Sequence, residues 1–222
     1  MTLASFETAI RDAARDGSLE NGVIGDGVKI PGLDGDVTMV YADYVASGRA
    51  MRQVEAFVTE KVLPFYANSH TEASYCGSYI TRLRQEARSV IARLCGAREE
   101  DSVIFTGSGA TAGLNRLVSL MGISEADRPV VFIGPYEHHS NILPWRESKA
   151  KVVEIPEAAE GGPDLAALKA ALLEHRDRDL KIGSFSAASN VTGIVTDPAP
   201  VSRLLHGHGA LAVWDYAGGG PY

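Results

Sequence analysis

The sequence predicts an α/β protein with a mostly parallel sheet flanked by helices, and three observations support this fold class. Short apolar runs alternate with helical segments over the last 120 or so residues. These runs are mostly apolar and do not alternate regularly with polar residues, which is typical of strands buried on both faces. Helix start signals, such as Asp164 and Pro198, separate the runs. Short buried strands joined by helices form parallel sheets.

The first 100 residues predict helices and loops before any strong strand. Residues 1–40 are expected to be an N-terminal extension and loop, and residues 41–222 the incomplete N-terminal part of one large domain. The predicted elements are an amphipathic helix at 1–16, a Gly- and Asp-rich loop or short hairpin at 17–36, a turn at 46–49, a helix at 51–63 ended by Pro64, a polar loop at 68–77 and a helix at 78–95 capped by Gly96.

Strands and helices then alternate to the end of the chain. We predict strands at 102–106, 130–134, 151–155, 181–186 and 210–215, helices at 110–121, 164–175 and 198–206, and a helix or loop at 142–148.

Composition narrows the classes of function. The net charge of -7 and the lack of a basic run argue against nucleic-acid binding. Cys76 and Cys95 form neither a disulfide framework nor a paired metal motif, so a reducing, cytoplasmic location is expected. No segment has the length and apolarity of a membrane span or signal peptide, and no membrane association is expected.

Polar and small residues follow the predicted strands, where ligands bind in parallel sheets. Gly107-Ser-Gly-Ala-Thr111 precedes a helix and can bring backbone N–H groups to an anion, so it predicts a phosphate site. Glu137-His-His139 offers an imidazole that can stack on an aromatic ring. Asp215 ends a buried run, and a buried carboxylate implies a cationic partner, for which a protonated pyridine nitrogen would serve.

Each of these motifs also has an ordinary structural interpretation. Taken alone, His138 is a loop residue, Asn190 a turn former and Asp215 an Asx-turn residue. His206 and His208 could suggest a metal pair, but they fall at a helix end without a third ligand, so no metal site is predicted.

Together the motifs resemble the class V aminotransferase family of fold type I, and especially its cysteine desulfurase-like members. The resemblance runs from Tyr41 to Tyr222 and rests on ordered segments: Tyr41-Ala-Asp-Tyr-Val-Ala-Ser47, the Phe105 to Ala112 loop, Glu137-His-His-Ser-Asn-Ile-Leu-Pro-Trp145, Ser189-Asn-Val-Thr-Gly193 and Val213-Trp-Asp215.

The resemblance implies a pyridoxal 5'-phosphate cofactor, a small amino-acid substrate and a homodimer. It implies that Gly109, Ala110 and Thr111 hold the cofactor phosphate. His138 would stack on the pyridine ring as a catalytic residue, Asn190 would face the phenolic oxygen, and Asp215 would pair with the pyridine nitrogen as the second catalytic residue. The expected activity is cleavage of a Cβ–S bond.

Two features depart from the family pattern. Where cysteine desulfurases commonly carry a glutamine after the aspartate, Asp215-Tyr-Ala-Gly218 has a glycine, so the contacts to the cofactor differ. The lysine that forms the Schiff base lies, in the family, beyond the position of Tyr222, and no lysine here follows a strand end in the right motif. We therefore expect a fragment of a longer enzyme, cut before that lysine and inactive alone.

Two alternatives stay open. The chain could be a non-catalytic fragment that binds phosphate ligands or dimerises. It could also be a nucleotide-binding dehydrogenase, because Gly107-x-Gly109-x-x-Ala112 fits a dinucleotide fingerprint, although the next acidic strand-end residue, Glu137, falls 30 residues after Gly107 instead of about 20.

Overall fold

The computed structural model describes residues 3–69 and 71–220. The chain forms two compact units, Met1–Phe105 and Thr106–Tyr222. The outermost residues of the predicted first helix and of the last segment, and His70 in the predicted polar loop, lie outside the described residues. The domain boundary near residue 40 stays a prediction.

The first unit opens with the predicted amphipathic helix and hairpin. Helix α1 spans Leu3–Arg15, and its Phe6 ring stacks on Phe57 with the ring centroids 4.3 Å apart. Strands β1 (Lys29–Gly32) and β2 (Gly35–Thr38) pair antiparallel in a small exposed hairpin. The hairpin lies at the end of the predicted Gly- and Asp-rich loop and extends past it.

The two later helices of this unit differ in detail from the prediction. Helix α2 covers Arg52–Phe57 and continues as a π-helical turn to Val62 and a 3-10 turn at Leu63–Phe65. This change of winding precedes Pro64, which has no N–H and whose ring crowds the preceding turn. Helix α3 spans Tyr75–Leu94 and starts earlier than predicted because the Ser74 hydroxyl accepts from the Gly77 N–H at 3.1 Å. Gly96 follows the helix with φ of 66°, as predicted.

The second unit contains a parallel sheet and confirms the predicted fold class. Its strands are β3 (Val130–Ile133), β4 (Lys151–Glu154), β5 (Lys181–Ser186) and β6 (Leu211–Asp215), in the order β4-β3-β5-β6. All three neighbouring pairs are parallel. The carboxyl ends of the strands therefore meet at one edge of the sheet.

Helices cover both faces of this sheet. On one face lie α4 (Gly109–Leu120) and α5 (Leu143–Glu147), packed on a buried cluster that includes Val131, Ile133, Ile182 and Val213. The opposite face carries α6 (Leu165–Glu174) and α7 (Pro198–Gly207). Because successive strand residues point to opposite faces, the residues in step with Ile182 and Val213 face α4 and α5.

The strand predicted at 102–106 is wrong. These residues form no ladder, and Ile104 and Phe105 are 62% and 44% exposed. An apolar run becomes a strand only when another strand takes up its N–H and C=O groups. No described residue pairs with this run.

No helix among residues 3–69 and 71–220 has the length and apolarity needed to cross a membrane.

Candidate active site

The glycine-rich segment leads directly into the N-terminus of α4. Gly107 and Gly109 have φ of 106° and 65°, a left-handed conformation that favours glycine. Ser108 is the N-cap of α4, yet its side chain does not cap the helix, whereas Asp164 and Asp197 cap α6 and α7. The first N–H groups of α4, in the turn that holds Gly109, Ala110 and Thr111, are therefore free of a side-chain cap and suited to an anion.

His138 lies in the loop after β3 and is exposed. Its Nδ1 atom accepts from the Ser140 N–H at 3.2 Å and lies 2.9 Å from the Ser140 hydroxyl. Because Nδ1 is an acceptor, the neutral ring carries its proton on Nε2. The ring caps a 3-10 turn, His139–Asn141, that packs against α4 and β5. The contacts at Nδ1 thus hold the imidazole in place, while the rest of the ring remains accessible.

Glu137, next to His138, accepts three hydrogen bonds through its carboxyl group. Its Oε1 accepts from the Ser186 N–H at 2.8 Å, and its Oε2 accepts from the Ser186 hydroxyl at 2.7 Å and from the Asn141 side-chain amide. Burial raises the pKa of the Glu137 carboxyl, and the hydrogen bonds from Ser186 and Asn141 partly offset that rise.

Asn190 lies at an exposed turn between β5 and α7. The Ser189 hydroxyl accepts from the N–H groups of Val191 and Thr192, and the Gly193 N–H donates to the Ser189 carbonyl at 3.0 Å. The side chain of Asn190 takes no part in these turn bonds. Its amide is therefore available to a ligand, as the predicted role requires.

Asp215 is the last residue of β6 and is 8% exposed. Its Oδ1 accepts from the Ala217 N–H at 2.8 Å, and among the described residues no basic side chain forms an ion pair with it. Gly218 follows in a turn instead of a side chain that could share the site. A buried carboxylate satisfied by one backbone N–H is suited to a cationic partner.

The sheet brings the predicted residues to one edge and largely to one face. Glu137 and His138 follow β3, Asn190 follows β5, and Asp215 ends β6, all at the carboxyl edge. Asp215 is in step with Val213, which packs in the cluster beneath α4, so its side chain faces the helix whose N-terminus is uncapped. Ligands of open parallel sheets bind at this edge.

A cavity of about 470 Å³ lies at the carboxyl ends of β3 and β4. It is lined by Gly134, Glu137, Ile142 and Arg146, with Glu154 at the end of β4. Because β4 and β6 are opposite edges of the sheet, this cavity is not the space above Asp215.

The lysines of residues 106–222 lie away from the carboxyl edge. Lys151 and Lys181 begin β4 and β5, Lys149 precedes β4, and Lys169 lies within α6 on the opposite face. None of these four amines is placed to react with a ligand above Asp215.

Sequence reasoning assigned no role to Asn141, Ser184 and Ser186, which the structure adds to the site. All three are buried, and they connect the Glu137 loop to β5. The signal was the four-residue spacing of Glu137, Asn141 and Trp145, together with serines in an otherwise apolar strand.

Comparison with known proteins identifies relatives over most of the chain. The profile of the family "Aminotransferase class-V" matches residues 40–220. A "probable cysteine desulfurase" of Halalkalibacterium halodurans is 27% identical over 86% of this chain and 48% of its own length. One of Chlamydia muridarum is 32% identical over 81% of this chain and 45% of its own length. The chain thus spans about half the length of the curated relatives it matches.

Solved structures support the same fold. The cysteine desulfurase CsdA of Escherichia coli is 25% identical, with a TM-score of 0.62 over 79% of this chain and 44% of that one. A NifS-like protein of Rickettsia africae is 21% identical, with a TM-score of 0.69 over 80% of this chain and 48% of that one, and shows the fold alone. The predicted fold type I class and the sequence resemblance are confirmed. With its family profile matched over residues 40–220, the chain belongs to the aminotransferase class-V family.

Proposed function

We propose that this chain forms the cofactor-binding part of a pyridoxal 5'-phosphate enzyme. One observation carries the proposal: the buried Asp215 carboxylate lies on the same sheet face as α4, whose N-terminus has no side-chain cap. The first feature suits a protonated ring nitrogen and the second a phosphate. The cofactor has these two groups at opposite ends of a flat ring.

The residues present fit this cofactor. The α4 N-terminus, with Gly109, Ala110 and Thr111, would hold the phosphate, and the accessible imidazole of His138 would cover one face of the ring. Asn190 would donate to the phenolic oxygen. Asp215 would keep the pyridine nitrogen protonated, and the cofactor then supplies an electron sink for charge that develops at the substrate Cα.

Cysteine desulfurase-like cleavage of a Cβ–S bond is the activity that we propose for the whole protein. The relatives carry cysteine desulfurase names, and the chain shares their family. Gly218 leaves the third position after Asp215 without a side-chain amide, so the phenolic oxygen would depend more strongly on Asn190. We propose a small amino acid as substrate.

A second candidate is a non-catalytic fragment that binds phosphate ligands or dimerises. This candidate requires no Schiff-base lysine, and none of the four lysines in residues 106–222 lies at the carboxyl edge. The dehydrogenase alternative lacks the strand before Gly107 that a dinucleotide fingerprint follows. The three candidates differ in ligand and in turnover, so binding and activity separate them.

Ligand titration of the 222-residue chain tests the cofactor proposal. Pyridoxamine 5'-phosphate is the probe, because it cannot react with surface lysines. We expect binding that is measurable by calorimetry and no competition from a nicotinamide dinucleotide. Unphosphorylated pyridoxamine should bind at least about tenfold more weakly, because the hydrogen bonds from the α4 N–H groups to the charged phosphate are lost. Equal affinity for both pyridoxamine forms would contradict the assignment of α4, and preferred dinucleotide binding would support the dehydrogenase.

Turnover is tested on the product of the whole gene. We expect formation of alanine from cysteine, with the sulfur released as sulfide when dithiothreitol is supplied as the reductant. This activity should be lost in Asp215→Ala and retained in Asp197→Ala, which removes the exposed acidic cap of α7. A gene product that binds the probe without turnover would support the non-catalytic candidate. A homodimer and a cytoplasmic location are also proposed on family grounds, and light scattering of the purified protein checks the former.

A further inference from the structure

The loop that carries His138 is fixed to the sheet on both sides of that residue. Glu137 precedes it and bonds to Ser186 of β5, and Asn141 follows it and receives the Ser184 hydroxyl of the same strand. Both anchors are side chains that reach across from the end of β3. The position of the imidazole therefore depends on how firmly these two side chains are held.

The hydrogen bonds form one chain from Trp145 to β5. The Trp145 indole N–H donates to Asn141 Oδ1 at 3.1 Å, the Asn141 amide donates to Glu137 Oε2, and the Ser186 N–H donates to Glu137 Oε1 at 2.8 Å. Trp145 and Asn141 are completely buried. Water is thus unavailable at the Trp145 end to replace a lost partner.

The donor-to-acceptor direction of this series of hydrogen bonds is fixed at both ends. An indole nitrogen only donates, so the oxygen of Asn141 must face Trp145 and its nitrogen must face Glu137. A backbone N–H also only donates, so Ser186 requires an oxygen at the other terminal atom of residue 137. Both terminal atoms of that side chain must therefore accept. A carboxyl group satisfies this requirement, and the amide of glutamine cannot, because one orientation opposes the Asn141 amide and the other opposes the Ser186 N–H.

The same anchor extends to Asp215. Ser186 and Asp215 are paired across β5 and β6, and the Ala187 N–H donates to the Asp215 carbonyl at 2.9 Å. One residue thus connects the carboxyl group of Glu137 with the strand end that carries Asp215. The arrangement sets the spacing between the imidazole and the carboxylate.

We infer that Glu137 is a positioning residue of the proposed cofactor site, and that its carboxyl group sets the location of His138 relative to Asp215. This inference rests on the proposed function for its consequence, namely binding of a flat phosphorylated ring between those two side chains. The hydrogen-bond requirement itself rests on the described residues alone.

Glu137→Gln in the 222-residue chain tests the inference, because it is nearly isosteric and breaks only the acceptor pattern. The matched control is Val201→Ala, which removes buried volume on the opposite face of the sheet. We expect both variants to lower the folding equilibrium constant, Glu137→Gln by roughly 5- to 100-fold because one buried donor loses its acceptor. Urea titrations define conditions under which both remain folded.

Under those conditions we measure hydrogen exchange at the Ser186 amide and the Trp145 indole, and affinity for pyridoxamine 5'-phosphate. We expect Glu137→Gln to speed exchange at both positions at least about tenfold more than its global stability explains, and to weaken affinity by a similar factor. Val201→Ala should change neither quantity beyond its global effect.

The outcomes separate the two proposals. Wild-type exchange in Glu137→Gln overturns the inference, whether or not the ligand binds. Faster exchange with unchanged affinity also overturns it, because the network is then structural only. Failure of the wild-type chain to bind the ligand refutes the proposed cofactor site, while the two exchange rates still decide whether the Glu137 carboxyl holds the loop.

Discussion

Replacing Asp215 by asparagine should weaken cofactor binding without weakening the fold. The carboxylate is 8% exposed and has one hydrogen bond, from the Ala217 N–H, which the asparagine oxygen can also accept. The variant removes a buried charge that has no ion-pair partner among the described residues. Because such a charge is costly to bury, we expect the free energy of unfolding to stay unchanged or to rise by up to about 1 kcal/mol.

The affinity for pyridoxamine 5'-phosphate should change in the opposite direction. A hydrogen bond between two charged groups contributes about 1.5–3 kcal/mol, and a factor of ten in affinity corresponds to about 1.4 kcal/mol. Loss of the charged pair between Asp215 and the ring nitrogen therefore predicts roughly 10- to 100-fold weaker binding. Calorimetric titration measures the affinity, and urea unfolding measures the stability.

Asp197→Asn is the matched control. Asp197 also accepts from a backbone N–H, that of Ala199 at 2.9 Å, but it is exposed and caps α7. It removes the same formal charge from the same unit, so a general electrostatic effect would appear in both variants. Wild-type affinity in Asp215→Asn, or an equal loss in Asp197→Asn, would refute the assignment of Asp215 to the ring nitrogen. A large loss of stability in Asp215→Asn would show that the carboxylate is structural.

Three further predictions concern the surroundings of the site. Gly134→Ala should lower the free energy of unfolding in urea by about 1–3 kcal/mol, because the added Cβ would lie 2.8 Å from Glu137 Oε1 and 2.9 Å from Phe185 Cδ1. A change near zero would show that the loop shifts freely. Burial raises the pKa of the Glu137 carboxyl. The stabilisation that this group provides relative to Glu137→Gln should therefore be complete below the unfolded pKa of about 4.3 and should decline as pH rises through the folded pKa. A difference in unfolding free energy between the two proteins that grows with pH would contradict this. Asp164→Ala should lower the free energy of unfolding by about 1 kcal/mol, because it removes the cap of α6. Ser108→Ala should lower it by under about 0.5 kcal/mol, because the Ser108 side chain does not cap α4. An equal shift of the melting temperature in both variants would refute an uncapped α4.

The sequence predicted the parts of the fold that depend on local patterns. The strands β3 to β6 and the capped helices α6 and α7 lie within one or two residues of their predicted bounds. Buried runs and Asp caps depend only on residues that are close together in the sequence, so the sequence shows them directly. The prediction of a strand at 102–106 was wrong because strand formation also depends on residues far away in the sequence. The residues of this run have the composition of a strand, but a strand also requires a partner, and composition carries no information about which segment pairs with it.

The same distinction explains what could be predicted of the site. The position of Asp215 at a strand end followed from the sequence, because the carboxyl edge of a parallel sheet is set by strand direction alone. The role of Glu137 did not follow, because it depends on which strand lies beside β3. Pairing of β3 with β5 places Ser186 within reach of Glu137, and the buried indole of Trp145 then fixes which atom of Asn141 faces it. With β4 as the only neighbour, the same Glu137 would have met no such donors from Ser186. The role of Glu137 in the motif from Glu137 to Trp145 therefore depends on strand order. A glutamate in the same motif beside a different strand would lack the hydrogen bonds to Ser186 on which the positioning role rests.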